Sequence, residues 1–159
     1  MKIIKKGILT ASFIITTIAS ITAQNVNIIP SSPHIKQLPN GWHKFAFEGT
    51  NFDVEVEEGY LIKGNIVWFD GSKYSGQLSN FSISGRGTYS WVDGRRYEGS
   101  FKNNLRHGKG SLIEQDNSKW SGKWKNNKKN GKGTLFDKSG KIVKKGTWKE
   151  NKYIDTKKK

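Results

Sequence analysis

A single spacing constrains this chain more than any other feature. Tyr74 opens YSGQL, Tyr97 opens YEGSF and Trp120 opens WSGKW, each 23 residues after the last. Each opening is followed at the same offset by two glycines one residue apart: Gly85 and Gly87, Gly108 and Gly110, Gly131 and Gly133. A small residue and a large apolar one come next, as Thr88-Tyr89, Ser111-Leu112 and Thr134-Leu135. Turn residues close each copy, as Asp93-Gly94, Asp116-Asn117 and Ser139-Gly140. Self-similarity at a fixed period of this size marks a repeat array, in which each unit buries its apolar face against its neighbours.

Within a copy the pattern is that of strands. Tyr97, Gly99 and Phe101 alternate with Glu98, Ser100 and Lys102, and Trp120, Gly122 and Trp124 alternate with Ser121, Lys123 and Lys125. Period-two alternation of aromatic and polar residues predicts half-buried strands. Asn103-Asn104 and Asn126-Asn127 follow at the same offset, and asparagine tolerates positive φ, so both pairs predict turns. Each unit therefore reads as a hairpin followed by a second turn. A mid-strand glycine lets a neighbouring ring lie flat across the backbone, and the pair after the turn permits a tight bend and close strand approach. The next opening, KGTW from Lys145 to Trp148, comes one residue late. Upstream, Gly64, Ile66 and Asp70-Gly71 fall where an earlier, degenerate copy would place them, starting near Phe52.

YEGSFKNNLRHGKGSL resembles the MORN (membrane occupation and recognition nexus) repeat: aromatic-x-Gly-x-aromatic, a polar turn, Gly-x-Gly, then an apolar strand. Three copies follow that pattern from Tyr74 to about Val143, and the first departs from it at Leu78, where an aromatic is expected. A half copy, Lys145 to about Tyr153, follows. The resemblance implies an all-β fold, an elongated and twisted single sheet of stacked hairpins that lengthens by about 10 Å per repeat. It also implies a protein-interaction or membrane-associating scaffold, often dimeric, and makes His107 a turn residue of the motif.

The ends differ in kind. Lys2, Lys5 and Lys6 precede an uncharged, largely apolar run from Gly7 to Ala23 that ends Ile21-Thr22-Ala23. This predicts a secretory signal peptide over residues 1–23, cut before Gln24, and hence an exported protein, periplasmic, secreted or on the outer surface. The alternative is an uncleaved membrane anchor, although the run is short and weakly apolar for a span. No cysteine follows it, which argues against a lipoprotein anchor. Residues 24–41 hold all three prolines, Pro30, Pro33 and Pro39, and read as an extended linker or cap. Residues 42–73 read as an N-terminal cap, Trp42 to Phe52, and the degenerate repeat, since a repeat sheet needs its edge covered. Residues 74–143 are the three repeats, and 144–159 a half repeat with a Lys-rich tail.

Charge is the second strong signal. From Gln24 to Arg96 seven Lys/Arg balance seven Asp/Glu, whereas from Tyr97 to Lys159 eighteen face six. Lys102, Lys125 and Lys149 occupy one place in successive repeats, about 10 Å apart, which exceeds the Debye length of roughly 8 Å at physiological salt. The ladder is therefore tolerable as a solvated face, and is equally suited to an anionic surface. The candidates for such docking, on a membrane or envelope, are Lys102, Lys123, Lys125, Lys128, Lys129, Lys144, Lys145 and Lys149. Tyr97, Phe101, Trp120, Trp124 and Trp148 are the candidates for a protein partner on the aromatic face, with packing between repeats as the competing role. Nucleic acid is disfavoured by the export signal.

Nothing in the sequence carries catalysis. The chain has no cysteine, so it has no disulfide framework, thiolate metal site or cysteine nucleophile. Its three histidines, His34, His43 and His107, are scattered. Gly108 to Ser111 and Gly131 to Thr134 imitate the end of a phosphate-binding loop, but glycine intervenes where lysine should meet Ser or Thr, and a strand follows instead of a helix. Asp53, Glu55, Glu57 and Glu58 make an acidic patch whose first three members alternate with Val54 and Val56 as a solvated strand face, and a single row offers no converging metal ligands. A non-enzymatic binding module without cofactor or metal is expected.

Overall fold

In the computed structural model residues 26–29, 31 and 33–154 are described; the expected signal peptide and the terminal lysines lie outside them. Eleven strands follow one another in a single antiparallel sheet whose spatial order is the chain order. They are β1 Gly41–Phe47, β2 Thr50–Glu57, β3 Tyr60–Val67, β4 Lys73–Ser79, β5 Ser82–Ser90, β6 Arg96–Lys102, β7 Leu105–Ile113, β8 Lys119–Lys125, β9 Lys128–Phe136, β10 Ile142–Lys149 and β11 Lys152–Ile154. The expected all-β stack of hairpins is the structure observed.

Turn chemistry makes the meander. Asn103 and Asn104 (φ 49° and 62°) join β6 to β7, and Asn126 and Asn127 (φ 47° and 67°) join β8 to β9. Two consecutive left-handed residues form the two-residue hairpin turn whose twist matches that of the strands. At the opposite ends the carboxylates of Asp93, Asp116 and Asp137 accept backbone N–H bonds from Arg95, Ser118 and Ser139 at 2.9–3.1 Å. The late arrival of KGTW is absorbed at Val143, where the β9–β10 register slips between Ile142 and Lys144.

One face of the sheet is the core. A row of directly opposed residues crosses it: Phe45, Phe52, Ile66, Tyr74, Tyr89, Tyr97, Leu112, Trp120, Leu135 and Lys144. Beside it runs a second row made only of glycine, Gly64, Gly76, Gly87, Gly99, Gly110, Gly122, Gly133 and Gly146, across β3 to β10. The rings of the first row lie down over the second. A Cβ on Gly110 would stand 2.2 Å from the Tyr97 hydroxyl, and one on Gly133 2.3 Å from the Trp120 ring. Flattened in this way, rings meet edge to face within a repeat, as Trp120 with Trp124 at 4.8 Å, and between successive repeats, as Tyr97 with Trp124 at 5.4 Å and Trp120 with Trp148 at 5.8 Å. A one-layer sheet thereby leaves Tyr97 0% and Trp120 1% exposed.

The N-terminal part of this face is covered by chain. Val26, Ile29 and Ile35 are buried on it, the last within a 3-10 helix, Pro33–Gln37. The Asn27 N–H donates to the Tyr89 hydroxyl at 3.0 Å, and Trp68 Nε1 donates to the Ile28 carbonyl at 3.0 Å. Trp42 to Phe52, expected as a cap, instead forms β1 and the start of β2, the sheet's own first edge. Burial of apolar surface drew the proline-containing segment onto the sheet face, while alternation in Trp42 to Phe52 suited it to extend the ladder.

Candidate binding face

The second face of the sheet is polar, and over β5 to β9 it forms a trough of about 900 Å³. Arg86, Arg96, Lys109, Lys119, Lys123 and Lys132 line it, against Glu98 as the one acid. Local sequence explains their placement. Arg86, Lys109 and Lys132 are the middle residues of the three Gly-x-Gly pairs, so each faces away from the ring that the second glycine of its pair accommodates. Arg96 and Lys119 immediately precede the inward Tyr97 and Trp120, and alternation turns them outward. Between them runs a row of directly opposed short side chains: Ser75, Thr88, Glu98, Ser111, Ser121 and Thr134. Ser111 donates to Ser121 at 2.9 Å.

Lys109 and Lys123 stand directly opposite each other across β7 and β8. Like charges in that relation destabilise a sheet, and among the described residues no carboxylate forms an ion pair with either. Four acids elsewhere form ion pairs: Asp53 with Lys44 at 3.5 Å, Glu55 with Lys63 at 2.7 Å, Asp93 with Arg95 at 2.6 Å, and Glu150 with Lys128. The hydrogen bond and charge of Lys128 hold the Glu150 carboxyl below its usual range.

The eight lysines singled out in the sequence do not form one group. Lys123 lies in the trough, and Lys145, opposite Thr134, shares its face. Lys102, Lys125 and Lys149 are exposed at strand ends beside the hairpin turns, and Lys128, opposite Lys125, belongs with them. Lys129 and Lys144 are on the aromatic face. Lys129 lies over the Trp120 and Trp148 rings at 5.5 and 5.4 Å, and burial lowers its pKa; Lys144 lies over Tyr153 at 5.4 Å. Five of the six trough cations, all but Lys123, escaped the sequence reading. Their signal was present as the 23-residue recurrence of 86, 109 and 132, and of 96 and 119.

Tyr97, Phe101, Trp120, Trp124 and Trp148 are all buried, between 0% and 7% exposed, in contact with rings of adjacent repeats. Ring packing, the competing role, takes up nearly all of their surface. His107 is half-buried within β7, not in a turn, because the hairpin turn ends at Asn104. Arg106, one residue before it, is 1% exposed on the aromatic face, 4.6 Å over Trp124, with its Nη2 donating to the Asn127 carbonyl at 3.1 Å. Burial lowers its pKa to about 10, which still leaves it charged at neutral pH.

Among the described residues no group of three or more His, Cys, Asp or Glu converges as a metal site, and no helix is long and apolar enough to cross a membrane. The MORN-repeat family model matches the chain three times in succession, at residues 74–95, 97–117 and 120–142. No curated protein matches it.

Proposed function

Because this chain carries three consecutive MORN repeats, the architecture of a binding or scaffold module, we propose that it is an exported module that docks on anionic surfaces of a membrane or envelope through the outer face of these repeats. One observation carries this reading: the trough face gathers six cationic side chains against a single acid. The cations at the hairpin edge, Lys102, Lys125 and Lys149, extend the same positive field. Such a field raises the local concentration of anionic partners and acts most strongly at low salt. Export rests on the sequence of residues 1–23. The N-terminal segment on the aromatic face supports the assignment of the outer face, because it and the stacked rings occupy the inner one.

The test is co-sedimentation of residues 24–159 with phosphatidylglycerol vesicles and with carboxymethyl-cellulose beads, each beside its uncharged counterpart, over a salt series. Binding to at least one anionic surface, weakening steeply with salt, is expected. Binding to neither overturns the proposal. Binding to charged and uncharged surfaces alike, insensitive to salt, would transfer the role to apolar contacts.

A further inference from the structure

The trough has a period, and the period identifies what fits it. Arg86, Lys109 and Lys132 hold one position in three successive repeats, on β5, β7 and β9. Alternate strands lie about 10 Å apart, so the three charges form an evenly spaced line across the strands. Arg96 and Lys119 form a second line parallel to it. Between the two lines runs the row of Thr88, Glu98, Ser111 and Ser121, which offers hydroxyls as donors and acceptors and one carboxylate as an acceptor. The whole is concave, about 900 Å³ in volume.

We infer that this trough binds a single strand of a linear acidic polysaccharide, laid across the strands with its carboxylates or sulfates on the two cationic lines and its hydroxyls on the central row. The inference rests on the reading of the outer face as an anion-docking surface and names the occupant. Four features favour a glycan over other polyanions. A trough admits a chain but not a flat bilayer. Among the described residues Ile113 is the only large apolar one lining it, so it lacks the apolar and aromatic side chains by which a protein surface enters a lipid interface. No aromatic lines it either, so it lacks the stacking platform on which single-stranded nucleic acids bind. The central row of hydroxyls suits a ligand that carries a hydroxyl beside each charge. The directly opposed and unneutralised Lys109 and Lys123 mark where an acidic group would be held most tightly.

The experiment compares the binding of residues 24–159 to polygalacturonate, neutral dextran, an oligothymidylate and phosphatidylglycerol vesicles. A triple variant, Arg86→Gln, Lys109→Gln and Lys132→Gln, removes one line of charge. A control, Lys102→Gln, Lys125→Gln and Lys149→Gln, removes the same charge from the hairpin edge. Circular dichroism verifies that both keep the sheet. The expected result is salt-sensitive binding to polygalacturonate and not to dextran, weakened about a hundredfold in the trough variant and changed severalfold at most in the control. Equal losses in both variants would make the effect one of bulk charge and overturn the inference. Tighter binding to the oligothymidylate than to polygalacturonate would overturn it as well. Binding to vesicles without binding to polygalacturonate would overturn it and leave the docking reading intact. Binding to none of the anionic probes would end both.

Discussion

From Gly76 to Gly146 each member of the glycine row has a second glycine directly opposite it and a ring above it, so its side is filled from two directions. A Cβ at Gly99 would stand 2.4 Å from the Gly110 Cα and 2.7 Å from the Tyr97 hydroxyl, and the first of these is backbone that no rotamer change relieves. Gly99→Ala is therefore expected to destabilise the protein by about 3 kcal/mol, as overpacking of a close-packed site does. Gly94→Ala meets no atom within 4 Å but keeps φ at +91°, so its cost is the left-handed backbone alone, about 1 kcal/mol. Urea denaturation of the two variants checks the difference. Equal effects would mean that the Gly99 row serves backbone freedom and not ring packing. The alternation of aromatic and glycine was legible from the sequence, including the suggestion that a ring lies across a glycine. Which glycine receives which ring was not. Tyr97 lies over Gly110, thirteen positions on, and that relation exists only once β6 and β7 are paired.

At the scale of elements, the hairpins do more than reverse the chain. The second turn asparagine of each reaches the preceding hairpin. Asn104 donates its N–H to the Ile83 carbonyl at 2.9 Å and accepts the Ile83 N–H on its side chain at 2.7 Å. Asn127 makes the same pair with Arg106 at 3.0 and 2.8 Å, and Asn151 with Lys129 at 3.1 and 2.8 Å. This clasp joins the tips of hairpins two strands apart, where the sheet ladder itself offers no bond. Asn127→Ala removes the side-chain acceptor from both the Arg106 backbone and its guanidinium, with an expected loss of about 2 kcal/mol. Asn126→Ala keeps the clasp and should cost about half as much, through its positive φ. Thermal melts of both variants decide; an equal loss would reduce the clasp to ordinary turn chemistry. The sequence showed an asparagine pair at a fixed offset. It did not show that the two members differ, because that difference lies in contacts more than twenty residues away.

Over the whole molecule, stability comes from the one buried face of a single sheet, lined mainly by rings in the repeats and by aliphatic side chains under the N-terminal segment. Tyr74 and Tyr97 are held in it with their pKa values well above the ordinary tyrosine range by burial. Burial raises Tyr89 as well, partly offset by its hydrogen bond with Ser72. A group whose folded pKa is raised contributes stability that is complete below its unfolded value and is lost above it. The window therefore opens at about pH 10, where tyrosines of the unfolded chain deprotonate. Tyrosinate absorbance followed with tryptophan fluorescence is expected to show these three ionising together with unfolding. Their ionisation in an intact fold would show that face to be open to solvent.

What the sequence determined alone is what neighbouring residues settle between themselves: the 23-residue period, the hairpins, the asparagine turns and the inward side of each aromatic strand. These follow from alternation and turn chemistry, which act over a few residues. The tertiary structure decided where the cations went. One unpaired residue at Val143 reverses the alternation of β10, putting Lys144 over a ring and Lys145 in the open. Pairing through the hairpin likewise sets Lys128 and Lys129 on opposite faces. The trough collects its charges from five strands, two of which carry Arg86 and Arg96 from the half of the chain whose net charge is zero. Net charge is a sum along the chain, whereas a binding face is a selection made by strand register. Only the paired sheet could make that selection.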